Sequence, residues 1–414
     1  MKIFLLVSLL LFWGDLQALV LDAGAKQSYE TTSNILKVPE DGSGATVPVE
    51  ESISITGIYL KVNEDAAGLT ANLEININYM DFVNNYASDV TRSSLKTDAN
   101  WIIRKGRYSW YLRDTFSQTR IDTSLNFNEN NIQDVNELVT GPVFDWEVSG
   151  NSLKLSSYVY AYDYSETDND NSSVITNLIW SRNMSAGKEL YLKYTTKVVS
   201  YESNSLLNDY DQSTLGVGFK YSKRVDAFDV FFGKSALSGD AGNDYTTSSF
   251  LYKRKTTRLS NISLGYAKTL SDNNNAIDSL GTPLNGVYIE KVSSINYQTN
   301  GITTGYDLRL EEKVREDTVE DDEDIRLTKT FTMYINISDK SRLDLSYIDS
   351  ENQIDSGSLQ NYQNNMYTSK LSYIKRLNNK MSFVGFLSEE IVVSTIAQYQ
   401  YNDKRIGFTF SISR

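Results

Sequence analysis

The chain contains no cysteine and no histidine, and only 4 of its 414 residues are proline. Without histidine it lacks the usual proton shuttle, the commonest metal ligand, and the Ser–His–Asp and Cys–His pairs of hydrolases. Without cysteine it can form no disulfide, no thiolate metal site and no thiol nucleophile. These absences argue against most enzyme classes. We therefore expect a protein that is not an enzyme, with no cofactor and no metal site.

Long apolar runs and a basic surface are missing as well. After the N-terminus, no segment approaches the roughly 20 apolar residues that a membrane-spanning helix needs. The formal net charge is −13, whereas binding to phosphate backbones requires a basic surface. Nucleic acid is therefore not an expected partner.

The N-terminal segment has the pattern of a secretory signal peptide. Lys2 supplies a positive start, an apolar run extends from Ile3 to Trp13, and Ala18 offers a small residue for cleavage. The run is too short to span a bilayer. The sequence therefore predicts a signal peptide over residues 1–18 and an exported domain over residues 19–414.

The rest of the chain alternates apolar and polar residues. In ANLEININYMDF, residues 71–82, Leu73, Ile75 and Ile77 alternate with Glu74 and Asn76. This period of two predicts a β-strand with one apolar and one polar face. The same pattern recurs in LYLKYTTKV (190–198), in LGVGFKY (215–221) and in RIGFTFSISR (405–414).

Short turns and longer loops separate these strands in alternation. The short turns lie at residues 63–68, 105–107, 149–152, 185–188, 225–227, 256–258, 299–301, 338–341 and 377–380. These nine turns join eighteen strands of about 10–13 residues, and one more strand at each end, near 25–32 and 404–413, gives about 20, with 16–20 as the range. We interpret the acidic run at 311–324 as one of the long loops.

Three architectures contain strands in such a repeat. A β-propeller blade has four short strands in about 40 residues, whereas only two longer strands fit here. A soluble sandwich would need one core for some twenty strands that each have an apolar face. A transmembrane barrel needs strands that are apolar outside and polar inside, and it closes its own hydrogen bonding. The sequence therefore predicts an all-β, antiparallel, up-and-down barrel in the outer membrane, surrounded by lipid, with short periplasmic turns and long extracellular loops.

Aromatic and charged residues fit this barrel. The tryptophans after the signal segment all lie near short turns, where a barrel places its membrane-interface aromatics: Trp101, Trp110, Trp146 and Trp180. Charged residues on the polar faces are the candidate pore-lining residues: Glu74, Arg113, Lys193, Lys197, Lys220, Asp307 and Arg309. Mixed charge of this kind suits a hydrated path for sugars or ions.

Several segments resemble a known family. They are SYETTSNI (28–35), ESISITGIYLKV (51–62), NELVTGPVFDWEV (136–148), and the related turn–strand units SAGKELYLKY (185–194) and SDKSRLDLSY (338–347). The chain resembles porin-like outer-membrane β-barrels associated with exopolysaccharide and exosortase (PEP-CTERM) gene clusters. The resemblance implies polymer export and no catalytic residue. Such barrels often end on an aromatic residue, whereas this chain ends Ile412-Ser413-Arg414, so the barrel-assembly machinery is expected to recognise Phe408 and Phe410.

Two functions remain open at this point. The first is a passive conduit for exopolysaccharide export or for small hydrophilic solutes, which would have the polysaccharide as a partner. The second is a structural or surface-interaction barrel with a plugged lumen, whose acidic loops bind a partner. The sequence leaves the oligomeric state open.

Overall fold

A computed structural model describes residues 20–39, 47–120, 132–166, 170–202, 209–238, 244–272, 287–317, 323–355 and 362–413. The predicted signal peptide lies outside the described residues. The described chain forms 20 β-strands and one turn of 3-10 helix, Ala397–Tyr399. Among these residues, no helix has the length and apolar character needed to cross a membrane.

The strands are β1 (Val20–Thr32), β2 (Glu51–Ala66), β3 (Leu69–Phe82), β4 (Val90–Arg104), β5 (Tyr108–Arg120), β6 (Ile132–Val148), β7 (Asn151–Tyr164), β8 (Asn171–Ser185), β9 (Lys188–Tyr201), β10 (Tyr210–Lys223), β11 (Asp226–Ser238), β12 (Asp244–Lys255), β13 (Ser260–Asp272), β14 (Val287–Asn300), β15 (Thr304–Asp317), β16 (Glu323–Ser338), β17 (Ser341–Asp355), β18 (Tyr362–Arg376), β19 (Met381–Ser394) and β20 (Tyr401–Ser413).

The sheet closes on itself. Each strand pairs antiparallel with its neighbours in sequence, and β1 pairs with β20 from Gly24 opposite Ser413 to Thr32 opposite Arg405. Closure removes the unpaired edges that would otherwise expose backbone N–H and C=O groups, and a bilayer core offers no water to satisfy such groups. The prediction of an all-β up-and-down barrel of about 20 strands is confirmed.

All nine predicted short turns join consecutive strands at one end of the barrel. Two of them lie one or two residues from the predicted position, at 224–225 and 301–303. Gly150 and Gly187 have φ of 78° and 76°, a left-handed conformation that glycine adopts without a steric penalty. The opposite end carries the remaining connections and is called the long-loop end below.

The prediction of a long acidic loop at 311–324 is wrong. Strand β15 continues to Asp317 and β16 already begins at Glu323. Charged side chains persist in these strands because they pair across the sheet: Lys313 Nζ lies 2.5 Å from Glu290 Oε2, and Lys291 forms an ion pair with Glu316. The charge composition of this segment favoured a loop. The structure has paired strands instead, because oppositely charged residues on the neighbouring strand neutralise these side chains.

Strand lengths also exceed the prediction. They range from 12 residues in β12 to 17 in β6. At about 3.3 Å per residue and a tilt near 40°, a 14-residue strand rises about 35 Å, more than the roughly 25 Å apolar band of such barrels. The strands therefore extend beyond the membrane, and the charged parts of β14–β16 lie toward the long-loop end.

An apolar belt covers the outer side of the wall. In one row across β9, β10 and β11, Leu192, Val217 and Phe232 lie opposite one another. Their exposed fractions are 45%, 43% and 62%. A closed barrel with apolar side chains exposed on this scale presents the surface that lipid covers.

Candidate functional site

The inner side of the wall is the candidate functional site. Next to the apolar row described above, Lys193 lies opposite Gly216, which lies opposite Gly233. Successive side chains point to opposite faces, so these residues point toward the barrel axis. With strands about 4.8 Å apart and tilted about 40°, a ring of 20 strands has a backbone diameter of about 40 Å.

The register brings the predicted pore-lining residues to this inner side, which carries Glu74, Arg113, Lys193, Lys197, Lys220, Asp307 and Arg309. Several of them have charged partners. Glu74 Oε1 lies 3.3 Å from Lys61 Nζ, and Arg113 Nη2 donates to Glu137 Oε1 at 2.6 Å. The inner side is therefore polar and partly ion-paired, and the role of these residues in lining a pore stays a prediction.

The four tryptophans lie toward the short-turn end. Trp101 and Trp110 face each other across the turn that joins β4 and β5. Trp146 and Trp180 both lie opposite Leu153, on either side of β7. The indole N–H of Trp110 donates to Thr140 Oγ1 at 2.9 Å. Their function as membrane-interface anchors stays a prediction.

One arrangement of a glycine, an aromatic ring and a cation recurs on the inner side, and the sequence did not indicate it. The ring of Tyr191 covers Gly218 on the next strand, where a Cβ would lie 2.0 Å from its Cζ atom. Lys220 Nζ lies 4.8 Å from the centre of the same ring, a cation–π distance. Two further sets have the same arrangement: Tyr334 with Gly305 and Arg342, and Phe386 with Gly407 and Lys370.

This arrangement has a physical basis in the missing side chain of glycine. Without a Cβ, the backbone of one strand leaves space for a ring from its neighbour to lie against the wall. The ring then supports a cation above it. Finding this from the sequence would require the strand register, because the glycine and the ring are distant along the chain.

Residues 33–39, the mouth segment, fold into the long-loop end of the barrel. Asn34 is 1% exposed, and its side-chain amide donates to the Val38 carbonyl at 2.7 Å. Its backbone N–H lies 3.3 Å from Asp403 Oδ1 on β20. The inner surface of β20 therefore holds the segment within the mouth.

An ion pair and an apolar contact hold the mouth segment on two further sides. Lys37 Nζ donates to Glu390 Oε1 at 2.6 Å and to the Tyr401 hydroxyl at 3.2 Å. Ile35 is buried against Ile53 and Phe82 on the inner side of β2 and β3. The segment therefore occupies part of the lumen cross-section near β1–β3 and β19–β20.

The connection between β3 and β4, residues 83–89, is held by a carboxylate. The backbone N–H of Phe82 donates to Asp89 Oδ1 at 3.0 Å, and the Tyr79 hydroxyl donates to Oδ2 at 2.8 Å. The backbone donor, followed by the hydroxyl, holds the pKa of Asp89 below its usual range. Asp89 is thus a charged acceptor that fixes the connection at neutral pH.

At the long-loop end, the β13–β14 hairpin overlaps the wall formed by β9–β12. The β12–β13 ladder ends at Ser248 opposite Lys268, although β13 continues to Asp272. Leu270 and Val287 lie on the belt side of their strands by register, yet they pack with Val199, Tyr210 and Leu237 from the lumen side of β9–β11. The end of the hairpin therefore lies inside this part of the wall.

In the described ranges, no three Asp or Glu residues come together in a way that could hold a metal ion. Several inner carboxylates lie close to cations. Arg315 is an example, because its guanidinium lies 3.6 Å from Glu290 and 3.9 Å from Asp324. This arrangement can attract, orient or exclude charged solutes.

No family model matches the chain, and no curated protein matches it. Solved structures do. The siderophore receptor PirA from Acinetobacter baumannii aligns with a TM-score of 0.53 and 10% identity, over 95% of this chain and 80% of that one. A variant of the ferric enterobactin receptor PfeA from Pseudomonas aeruginosa gives a TM-score of 0.52 and 8% identity, with 95% and 80% covered.

The siderophore receptor PirA from Pseudomonas aeruginosa is similar too, with a TM-score of 0.50, 8% identity, and 94% and 80% of the two chains covered. At these identities the likeness concerns the fold. The chain has the fold of outer-membrane β-barrels, and its apolar belt suits that membrane. The association with exopolysaccharide and exosortase gene clusters stays an expectation from the sequence.

Proposed function

We propose that this protein is a passive conduit across the outer membrane, for small hydrophilic solutes or for an exported exopolysaccharide. The observation that supports it is the inner side of the wall, which carries charged, amide and hydroxyl side chains on all its strands. A 20-stranded ring is wide enough for an aqueous lumen. Selection would then come from width and charge.

Conductance tests this proposal. Purified full-length protein in a planar lipid bilayer is expected to give stable, ohmic single-channel currents, and neutral polyethylene glycols should reduce them up to a size limit. A barrel that inserts but never conducts would contradict the conduit. In cells, a deletion strain that exports its polysaccharide normally would remove the export role and leave the solute role.

A second candidate is a receptor-like barrel whose lumen is largely closed. The mouth segment supports this alternative, because Lys37 and Asn34 hold it inside the barrel. The similar structures are, by their names, siderophore or ferric enterobactin receptors. A ferric siderophore that binds with micromolar or better affinity would favour a receptor.

Lys37→Met separates the two candidates. It removes the ion pair with Glu390 and leaves the apolar contacts of the mouth segment in place. If the segment closes the barrel, the variant should conduct several-fold more than the wild type. If the wild type is already open, the two should differ by less than about a factor of two. Assembly by the barrel-assembly machinery through Phe408 and Phe410 stays a prediction, and replacing both residues tests it.

A further inference from the structure

One sector of the inner side is rich in lysine. The inner positions of β9–β13 carry five lysines, namely Lys193, Lys197, Lys220, Lys253 and Lys255, and two carboxylates, Glu189 and Asp229. We call these five lysines the lysine face. Its excess of positive charge contrasts with the chain as a whole, which has a net charge of −13.

The two carboxylates of this sector neutralise little of that charge. Glu189 lies 3.9 Å from Lys220, at the limit of an ion pair. Asp229 accepts a hydrogen bond from the Tyr191 hydroxyl at 2.8 Å. Lys193 and Lys253 have no carboxylate within 4.0 Å in the part of the chain that the structure describes. The ammonium groups of these two lysines are therefore available to another anion.

Glycine backbone and aromatic rings form the surface beside Lys193. Lys193 lies opposite Gly216, and Gly216 lies opposite Gly233, and the ring of Phe231 lies against the backbone of Gly216. The rings of Tyr191 and Phe231 stack nearly parallel, with centres 6.2 Å apart and 6° between their planes. The result is a shallow floor of backbone and flat rings with cations around it.

The spacing of the lysines favours an extended ligand. Lys193 and Lys197 are four residues apart on one face of β9, which places their Cα atoms about 13 Å apart. Lys220 is held over the Tyr191 ring. This arrangement matches several charges spread along a chain better than it matches one small ion.

From these observations we propose that the lysine face binds an anionic polymer, in which carboxylate, phosphate or sulfate groups recur along an extended backbone. The inference rests on the proposed conduit and narrows its substrate class. A neutral polysaccharide would gain nothing from the ammonium groups of Lys193 and Lys253, whereas a polyanion would be held weakly at several points and remain free to move.

The test uses full-length protein in detergent with polygalacturonate, a linear anionic polysaccharide, and dextran of the same length as the neutral probe. Binding is measured by thermophoresis. Polygalacturonate should bind about tenfold more tightly than dextran at low salt, and the difference should disappear near 1 M salt, where the screening length is about 3 Å. Equal binding of the two polymers would overturn the inference.

Two triple variants with the same change in charge localise the site. K193Q/K220Q/K253Q should lose the preference for polygalacturonate by about tenfold, as expected for three exposed charge contacts. K313Q/R315Q/R326Q, on the inner side of β15 and β16, should keep the preference within about twofold. If both variants lose it equally, the effect belongs to the overall lumen charge and not to the lysine face. A heat-dependent shift on an SDS gel shows that each variant folds.

Conductance of the same samples keeps this inference separate from the proposed conduit. A barrel that conducts but does not distinguish the polymers would retain the conduit and reject the lysine face. A barrel that binds polygalacturonate through the lysine face but never conducts would retain the site and reject the conduit.

Discussion

Two sectors of the inner wall have the same number of cations and very different charge. The lysine face on β9–β13 has five lysines and two carboxylates. The neighbouring sector on β14–β17, which we call the paired wall, has the cations Arg309, Lys313, Arg315, Arg326 and Arg342 and the carboxylates Glu290, Asp307, Glu311, Asp324 and Asp344. The paired wall is therefore close to neutral. The difference lies in the partners and not in the cations.

This comparison shows that the barrel neutralises its charges in one sector of the inner wall and keeps a positive charge in another. On the paired wall, Arg309 and Arg342 bond to carboxylates two residues away on their own strands, Glu311 and Asp344. Such pairs neutralise charge on the lumen side of β15 and β17. On the lysine face, glycine backbone and aromatic rings lie beside the cations and carboxylates are few, so the sector keeps a positive charge toward the lumen.

The largest expected effect tests which side chains of β9 point to lipid and which point to the lumen, an assignment on which the comparison depends. Leu192→Arg places a charge in the lipid belt, which costs about 2–4 kcal/mol at the bilayer midplane. We expect a strong loss of folded barrel in outer-membrane fractions, measured by the heat-dependent gel shift. Lys193→Glu is the matched control, since it alters the next residue on the inner side. It should assemble normally, and equal damage from both variants would mean that the facing is wrong.

The next effect concerns the ring that supports Lys220. Gly218→Ala puts a methyl group where the Tyr191 ring lies, 2.0 Å from its Cζ atom. Displacing the ring should lower the free energy of unfolding by about 1–3 kcal/mol, measured by urea unfolding in lipid vesicles. Gly68→Ala is the control, because a Cβ there has no atom within 4 Å. An unchanged urea midpoint for Gly218→Ala would contradict the placement of the Tyr191 ring against Gly218.

A third variant should make the paired wall more positive, and so closer in charge to the lysine face. Glu290→Gln removes the carboxylate shared by Lys313 and Arg315. Stability should fall by about 1 kcal/mol, and the reversal potential in a salt gradient should shift toward anions. Glu312→Gln, on the outer side of β15, has the same charge change and should leave the reversal potential where it was. A shift of equal size in both variants would show that position in the lumen does not matter.

The smallest expected effect concerns Asp89, which lies outside both the lysine face and the paired wall. It therefore provides a control for the variants in these two sectors. The lowered pKa of Asp89 means that its carboxylate stabilises the 83–89 connection above the unfolded pKa, and that this contribution is lost as pH falls through the folded value. The protection factor of the Phe82 N–H, which compares its exchange rate with the intrinsic rate at the same pH, should therefore fall at acidic pH, below about 4. Asp89→Asn should exchange faster already at neutral pH. Asp89→Asn should leave the reversal potential at neutral pH unchanged.

The sequence predicted most of the barrel because each residue must suit lipid or water. The strict alternation around Leu192 and Lys193 is enough to assign strands and faces, and the short turns are marked by Gly, Asn and Asp. The same reasoning was wrong for the acidic run at 311–324. Whether a charged segment forms a loop or a strand depends on the residues of the neighbouring strands. Arg315 lies near Glu290 and Asp324 because β15 pairs with β14 on one side and with β16 on the other.

Local sequence could not predict the features that depend on contacts between distant segments. The mouth segment lies inside the barrel because Asn34 and Lys37 find Asp403 and Glu390 more than 350 residues later. Its own composition is that of an ordinary loop. The overlap of the β13–β14 hairpin with β9–β12 likewise depends on where the β12–β13 ladder ends, and no residue near Lys268 marks that position.

The sequence by itself determined the class of fold, the alternation of faces and the short-turn end, since these follow from a period of two and from local turn chemistry. Only the tertiary structure decided which of the lumen-facing cations lie close to a carboxylate. That depends on the register between strands, and a shift of one residue would turn every side chain to the other face. The lysine face and the paired wall have the same number of cations. They differ in charge because carboxylates lie beside the cations of the paired wall and are few on the lysine face.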